Sequence, residues 1–346
     1  MQFIQIRSCS MSSFAAVFLT FERLDMLRRR VEHKQEPTYT AYLAMMEEAN
    51  RQLTRQPAVP ETWYVPGYYR DAQGHNRAKG VLADDANAAY HLALAYQITG
   101  EVRYAEAAAR LARAWAAGPK KMRKEDDSTL SFSYHFPALI FAEALIRESP
   151  AWSGSDAAAF QLFLLEKALP QNCMSRENNW GNWGLVLVLA IAASAGRADL
   201  LQQGAARWKE FIEKQIAPDG HLPLEVGRNH GIGERGIWYT HFSLMPQTLA
   251  AEILRVNGVD LYNYISPSGR TLRAAFERSA PWARDPAAFP YFKGKDRREM
   301  KGTDYVSYYE ILNARWRNPD ASAMLEKMRP LTAIHSAPCL TFTHGK

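Results

Sequence analysis

A helical figure punctuated by glycine recurs along this chain and limits the folds open to it. Residues 85–99 carry Ala, Tyr and Leu at helical spacing and stop at Gly100, where a left-handed C-cap residue would sit. Helix resumes over 102–117, with Tyr104, Ala108, Leu111 and Trp115 on one side. The figure repeats at 185–195, Gly196 and 200–216, and again at 244–256, Gly258 and a segment from Leu261. Residues 136–147 end near Pro150 without the glycine. The turns fall about 50 residues apart, as paired antiparallel helices of about 20 residues plus loops would. One pair cannot bury its apolar face, so consecutive pairs must stack. The pattern predicts an all-α curved stack or (α/α) toroid, with 1–346 as one domain. Strand signals are weak, as at 62–66. Residues 281–301 read as loop, and 304–317 as a final helix before a short tail.

Within this helical background two polar knots stand out. The first runs over 218–239 and holds Arg228, Asn229, His230 and Tyr239 between glycines at 227, 231, 233 and 236. Glycines let a backbone turn sharply and approach a ligand closely, so regular helix is not expected there. A cation, an amide, an imidazole and a phenol together suit proton abstraction beside a carboxylate. The second knot, from Arg176 to Trp183, opens an apolar helix with Asn178, Asn179, Trp180 and Trp183.

The net charge of +6, with basic runs at 28–30, 120–124 and Arg297-Arg298, favours an acidic partner where it is not simply a solvated surface. Glu125, Asp126 and Asp127 partly cancel the second run. No nucleic-acid motif has the needed spacing, and no apolar run approaches the roughly 18 residues of a membrane span. Neither nucleic acid nor membrane is expected as a partner, and oligomeric state is not legible. Nine Trp and sixteen Tyr mostly fill a core, with a mild lean toward stacking on sugar rings. Three distant cysteines, Cys9, Cys173 and Cys339, suggest neither a disulfide framework nor a zinc cluster. His221, His230 and His241 lack zinc-ligand spacing, and phosphate-loop and serine-elbow motifs are missing, so no metal or nucleotide cofactor is expected. The apolar stretch 14–19 follows Arg7 but is short and has no small-residue cleavage site. It reads as the start of the folded domain; a secreted or periplasmic location follows if a leader was removed, a cytoplasmic one otherwise.

Asp219-Gly220, Leu222-Pro223, Glu225, Arg228, Tyr239 opening a helix, and Asn257-Gly258-Val259-Asp260-Leu261 occur in an order that resembles the alginate lyase superfamily. Asn178-Asn179-Trp180 resembles the family's Asn-Asn-His at a helix start, and 89–106 resembles its early helical hairpin. Together these cover about half the chain. The resemblance implies an incomplete (α/α) toroid and a polysaccharide lyase. Two departures stand out: Trp180 falls where the family has His, and the segment from Arg228 to Tyr239 is longer and contains His230. This is similar to the more divergent branch of the superfamily, such as polysaccharide lyase family 38, which attacks alginate or glucuronan.

The implied reaction is β-elimination from a 4-linked uronate. H5 is a poor acid beside a carboxylate that is already negative, so donors on that carboxylate lower the barrier. Arg228, Asn179 and His230 suit that task. In β-linked mannuronate or glucuronate, H5 and O4 share one ring face, so a single phenol, Tyr239, serves as base and then acid. Guluronate puts them on opposite faces and needs a separate base, for which His230 is the candidate. Asn178, Trp180, Trp183, Tyr68, Tyr134, His135 and Arg235 are the substrate-binding candidates. Trp180 and Trp183 read equally well as core or sugar platform. Residues 64–70 with His75 read as a lid loop, and 133–136 as a helix start facing the cleft. Tyr305, Tyr308 and Tyr309 form a late cluster of either kind.

Each role has a plain structural rival. Arg228 could pair with Glu225 or Glu234, and Asn179 could be a helix N-cap. Two other functions stay open. An α/α-barrel glycoside hydrolase would need two opposed carboxylates, with Glu225, Glu177, Asp84 and Asp85 as suppliers. A non-catalytic helical scaffold would bind an acidic partner through its basic face.

Overall fold

The computed structural model describes residues 16–295, 305–332 and 335–346. Cys9, Arg297-Arg298 and the first residues of the 14–19 stretch lie outside them. Fifteen α-helices occur among the described residues: α1 (Phe21–Glu32), α2 (Thr38–Gln52), α3 (Ala72–Thr99), α4 (Val102–Ala117), α5 (Ser128–His135), α6 (Pro137–Ile146), α7 (Gly154–Phe163), α8 (Asn179–Ser194), α9 (Ala198–Gln215), α10 (Pro223–Val226), α11 (Gly236–Val256), α12 (Leu272–Arg284), α13 (Tyr309–Trp316), α14 (Pro319–Met328) and α15 (Leu340–His344). Two short strands, β1 (Thr62–Trp63) and β2 (Lys121–Met122), pair in parallel.

The glycine punctuation does what its spacing implies. Gly100, Gly196 and Gly258 all hold left-handed backbone, with φ of 73°, 63° and 87°, and each follows a helix end. The hairpins they make stack into a ring. α3 packs on α6, α6 on α8, α8 on α11 and α11 on α12; α13 and α15 then lead back to α2, which packs on α3. α4 and α9 lie outside their partners α3 and α8.

Side-chain distribution separates these layers. Every residue of α6 is buried, and in α8 only Trp180 is not. A helix apolar on all sides belongs inside. In α4 the buried residues centre on one face (Tyr104, Ala105, Ala108, Leu111, Ala112 and Trp115) and are flanked by the small Ala107 and Ala109, while Val102, Arg103, Glu106 and Arg113 are exposed, as in an outer helix. A polar network pins the inner layer. Asn182 Nδ2 donates to Ser243 Oγ at 2.6 Å and to Gln215 Oε1 at 2.9 Å, and Gln247 Nε2 donates to the same Gln215 oxygen at 2.8 Å. Buried donors paired in this way tie α8, α9 and α11 in one register.

Several expectations need correction. The helix expected at 85–99 begins at Ala72, so His75 belongs to its first turn and not to a loop. Residues 133–135 end α5, and Pro137 opens the next helix because its ring suits a first turn. After Gly258 helix resumes only at Leu272. α12 runs through Pro281, so the loop starts later than expected. α13 spans Tyr309–Trp316, and α14 and α15 follow it in place of a short tail. Ser128–Ile146 is long and apolar enough to cross a membrane, contrary to the reading of the sequence, but nearly all of it is buried inside the fold. Arg28 and Arg30 do not form a free basic patch. They donate to Gln97 O at 2.8 Å and to Gly345 O at 2.7 Å.

Candidate active site

The two polar knots meet at one end of the ring, on a cavity of about 490 Å³. Its lining includes Tyr68, Tyr134, Asn179, Trp180, Arg228, Arg235 and Tyr239 from the sequence-based set. It also includes Tyr69, His75, Asn76, Lys79, Asp127, Leu130, Trp238, Phe242 and His335, none of which that set contains.

Tyr239 projects from the first turn of α11. That turn lies close against the chain before it: a Cβ on Gly236 would strike Val226 O and the Phe289 ring. Between Gly227 and Arg235 the backbone is left-handed at Asn229, His230, Gly231 and Gly233. Val226, Ile237, Trp282, Phe289 and Phe292 form a small apolar cluster at the two ends of this loop. The loop delivers Arg228, whose guanidinium carbon lies 4.1 Å from the Tyr239 ring centroid. Such stacking of a cation on a ring face is attractive.

Tyr239 is 8% exposed, and its hydroxyl lies 2.8 Å from the Tyr69 hydroxyl. Burial pushes its pKa up, the Arg228 guanidinium pulls it back, and the net direction is upward. Arg228 is shifted up: burial opposes its charge, while Tyr239, Glu225 and Tyr69 favour it.

Asn178, not Asn179, is the N-cap of α8; its Oδ1 accepts from Trp180 N at 3.2 Å. Asn179 is thereby left to face Glu225. Its Nδ2 donates to both Glu225 carboxylate oxygens at 3.0 Å, and its backbone N–H donates to Oε1 at 3.2 Å. Glu225 is buried, and desolvation raises its pKa against the pull of Asn179 and Arg228. Glu225 therefore holds Asn179 in place from behind the cavity wall.

On the other side the chain 64–71 is held down by the acidic turn before α5. Tyr64 Oη donates to Asp126 at 2.5 Å, Arg70 pairs with Asp126, and Tyr68 N–H donates to Asp127 Oδ2 at 2.8 Å. This segment carries Tyr69 over Tyr239. Asp126 and Asp127, which the sequence offers only as partial cancellation of a lysine run, are its anchors.

Four candidates do not line the cavity. His230 is exposed on the glycine-rich loop. Asn178 is occupied as a cap. Trp183 is fully buried, with Tyr134, Phe242 and His335 rings within 5.8 Å. His135 lies behind Tyr134, ring to ring at 4.4 Å. Tyr308 and Tyr309 are core residues. The lining residues outside that set had uneven signals, and of them Tyr69 and His75 belong to the segment read as a lid. His75 and Lys79, four apart, share a helix face once α3 is known to start at Ala72. Tyr69 and Trp238 adjoin recognised residues. His335 had no signal.

The carboxylates proposed for a hydrolase are placed elsewhere. Asp85 accepts from Arg55 at 2.7 Å, Ala58 N at 2.8 Å and Trp115 Nε1 at 2.9 Å. Asp84 lies 3.8 Å from Arg55, and Glu177 is paired with Arg207 at 3.0 Å. Glu225 sits behind Asn179. Among the described residues Asp127 is the one carboxylate lining this cavity, so an opposed pair is missing.

Comparison with known proteins places the family and the fold. A sequence profile described as alginate lyase matches residues 30–289. A polysaccharide lyase of Stenotrophomonas maltophilia is 31% identical over 149 residues, which cover 43% of this chain and 41% of that relative. An alginate lyase of Pseudomonas fluorescens is 27% identical over 128 residues, 37% of this chain and 32% of that relative. The chain thus matches under half the length of these curated relatives. Among solved structures, alginate lyase A1-III from Sphingomonas species A1 matches with a TM-score of 0.76 at 17% identity, covering 96% of each chain. A variant of alginate lyase A1-III complexed with tetrasaccharide matches with a TM-score of 0.78 at 17% identity, covering 98% of each. At such identity the likeness shows the fold, the helical toroid of the alginate lyases.

Proposed function

The chain belongs to the alginate lyase family, and from that premise we propose that it is a polysaccharide lyase cleaving a β-1,4-linked polyuronate, poly-mannuronate or glucuronan, by β-elimination. The observation that carries the reading is the convergence of Tyr239, Arg228 and Asn179 on one cavity, with Arg228 stacked on the Tyr239 ring. The tetrasaccharide bound by the A1-III variant supports an anionic oligosaccharide as the occupant.

In this reading the uronate carboxylate lies against Arg228 and the amide of Asn179. Charge builds on that carboxylate as H5 leaves, and fixed donors in a site shielded from water stabilise it most where it builds. Glu225 keeps the Asn179 amide from rotating. Burial keeps Tyr239 a phenol at rest, so its proton leaves first, through Tyr69, whose 75% exposure connects the pair to solvent. The phenolate then takes H5, the C5–H electrons form the C4=C5 bond, and the C4–O4 bond breaks. The regenerated phenol protonates O4. Both transfers fall to one oxygen because H5 and O4 share a ring face in mannuronate and glucuronate. Arg235 and Trp180, at the rim, contact the neighbouring sugars.

The test is the ultraviolet absorbance of the conjugated unsaturated uronate, for wild type and Tyr239→Phe on poly-mannuronate and glucuronan. Wild type gives product with at least one polymer, and the variant loses at least about 100-fold, the scale of a positioned acid–base group. A saturated reducing end in place of the conjugated product would sink the reading.

A further inference from the structure

The mechanism above leaves an imidazole–carboxylate pair on the α3 wall without a task. His75 is 5% exposed and lines the cavity. Its Nδ1 lies 3.1 Å from Asp127 Oδ2 and 3.0 Å from Pro66 O. Both neighbours of Nδ1 accept hydrogen bonds, so in the neutral ring the proton sits on Nδ1 and Nε2 keeps its lone pair. Asp127 is itself held by the Tyr68 N–H at 2.8 Å, which fixes the pair. A base whose far nitrogen is oriented by a carboxylate is the arrangement that proton abstraction requires.

Position adds to this. α3 packs on α4, α5 and α6, whereas α11 packs on α8, α10 and α12. His75 and Tyr239 thus reach the cavity from separate parts of the ring, which meet where Tyr69 Oη lies 2.8 Å from Tyr239 Oη. Lys79, one helical turn beyond His75, lines the same wall and has no ion pair among the described residues. Burial lowers its pKa while Asp127 raises it.

We propose that His75, oriented by Asp127, is a second base of this cavity, taking H5 from uronates in which H5 and O4 lie on opposite ring faces, as in guluronate. The proposal rests on the lyase reading and extends its substrate class. His75 Nε2 takes H5 as a proton, and the C5–H pair becomes the C4=C5 bond. The C4–O4 bond breaks with its pair on O4, and the Tyr239 phenol protonates O4. Asp127 stabilises the imidazolium, and Arg228 and Lys79 hold the carboxylate. The imidazolium then gives its proton to water, and the phenolate regains one.

His75→Asn separates this role from a structural one. Its amide N–H stands in for Nδ1 toward Asp127 and Pro66 O, but nothing replaces Nε2. Wild type, His75→Asn and Tyr239→Phe are each given poly-mannuronate, poly-guluronate and glucuronan, with melting curves alongside. Wild type releases unsaturated product from guluronate as well as mannuronate. His75→Asn lowers the guluronate-to-mannuronate rate ratio at least about 100-fold at an unchanged melting midpoint, and Tyr239→Phe loses both activities. If the Asn variant melts early, His75→Gln, of similar length and equally without a basic nitrogen, gives the same ratio test. Wild-type cleavage of mannuronate without guluronate overturns the proposal and leaves the lyase reading intact. An equal fall on both polymers also overturns it. No product from any of the three polymers overturns the lyase reading and this proposal with it.

Discussion

Arg228 and Tyr239 reach the cavity from a loop with left-handed backbone at four consecutive or near-consecutive residues and from the helix turn that follows it. His75 and Lys79 reach it from the first two turns of a 28-residue helix. In the loop wall, position is set by backbone torsions and by close approach to Val226, Phe289 and Tyr291. In the helical wall, position is set by helix phase, and the cavity end of the helix is tied through Asp71 and Asp127. A wall of the first kind is sensitive to one added carbon. A wall of the second kind is sensitive to what its side chains touch.

That contrast is broken or sharpened by substitutions on each side. Arg228→Ala should have the largest effect, lowering kcat/KM about 100-fold as a carboxylate donor is lost. It should also move the pH profile. Arg228 holds the Tyr239 pKa down against burial, so without it the phenolate forms only at higher pH and the ascending limb shifts to the alkaline side. A rate–pH profile with an unmoved limb would separate the guanidinium from the phenol.

Two glycines compare the walls directly. At Gly233, φ is 81° and a Cβ would meet Tyr291 O and Val226 O, so Gly233→Ala should cost about 1–3 kcal/mol in denaturant unfolding and weaken turnover. Gly80, inside α3, has nothing within 4 Å of such a Cβ. Gly80→Ala should stabilise by up to about 1 kcal/mol, through helix propensity alone. A stabilised Gly233→Ala beside a destabilised Gly80→Ala would contradict the division into a torsion-set and a phase-set wall.

A smaller loss is expected from Glu225→Gln, about tenfold in kcat/KM, which is the worth of a charge-assisted hydrogen bond to Asn179. Folding should survive it, since burial already raises the Glu225 pKa and a neutral side chain removes that desolvation cost. Circular dichroism melting beside the rate would separate the two effects. The smallest change belongs to His230→Ala. An exposed side chain outside the cavity should alter kcat/KM by less than about twofold on any polymer, and a loss beyond tenfold would return His230 to the mechanism.

Of the two walls, the loop wall is the one legible in the sequence. Glycines at 227, 231, 233 and 236 mark a backbone that does not continue as helix, and Arg228 and Tyr239 are the chemistry-bearing residues at its ends. The helical wall is not legible in that way. His75 reads as part of a lid loop because the hydrophobic pattern of α3 becomes clear only after residue 85. The first turns of that helix face a cavity and have no apolar stripe to show. Asp127 looks like surface charge, and its role as the anchor of Tyr68 and His75 depends on contacts between segments far apart in the chain. His230 misleads in the other direction: it is the right residue type in the right segment, but left-handed backbone turns it outward.

By itself the sequence determined the helical hairpins, their glycine turns, their all-α stacking and the segment that carries Arg228 and Tyr239. These follow from local rules: apolar residues at a period of 3.6 and glycine where φ must be positive. Tertiary structure decided which polar side chains share the cavity. It turned Asn179 toward Glu225, brought Tyr69 over Tyr239, set His75 against Asp127 and left His230 outside. Ring closure brings helices together from distant parts of the chain, and which face of each helix looks inward depends on packing between elements that no local pattern encodes.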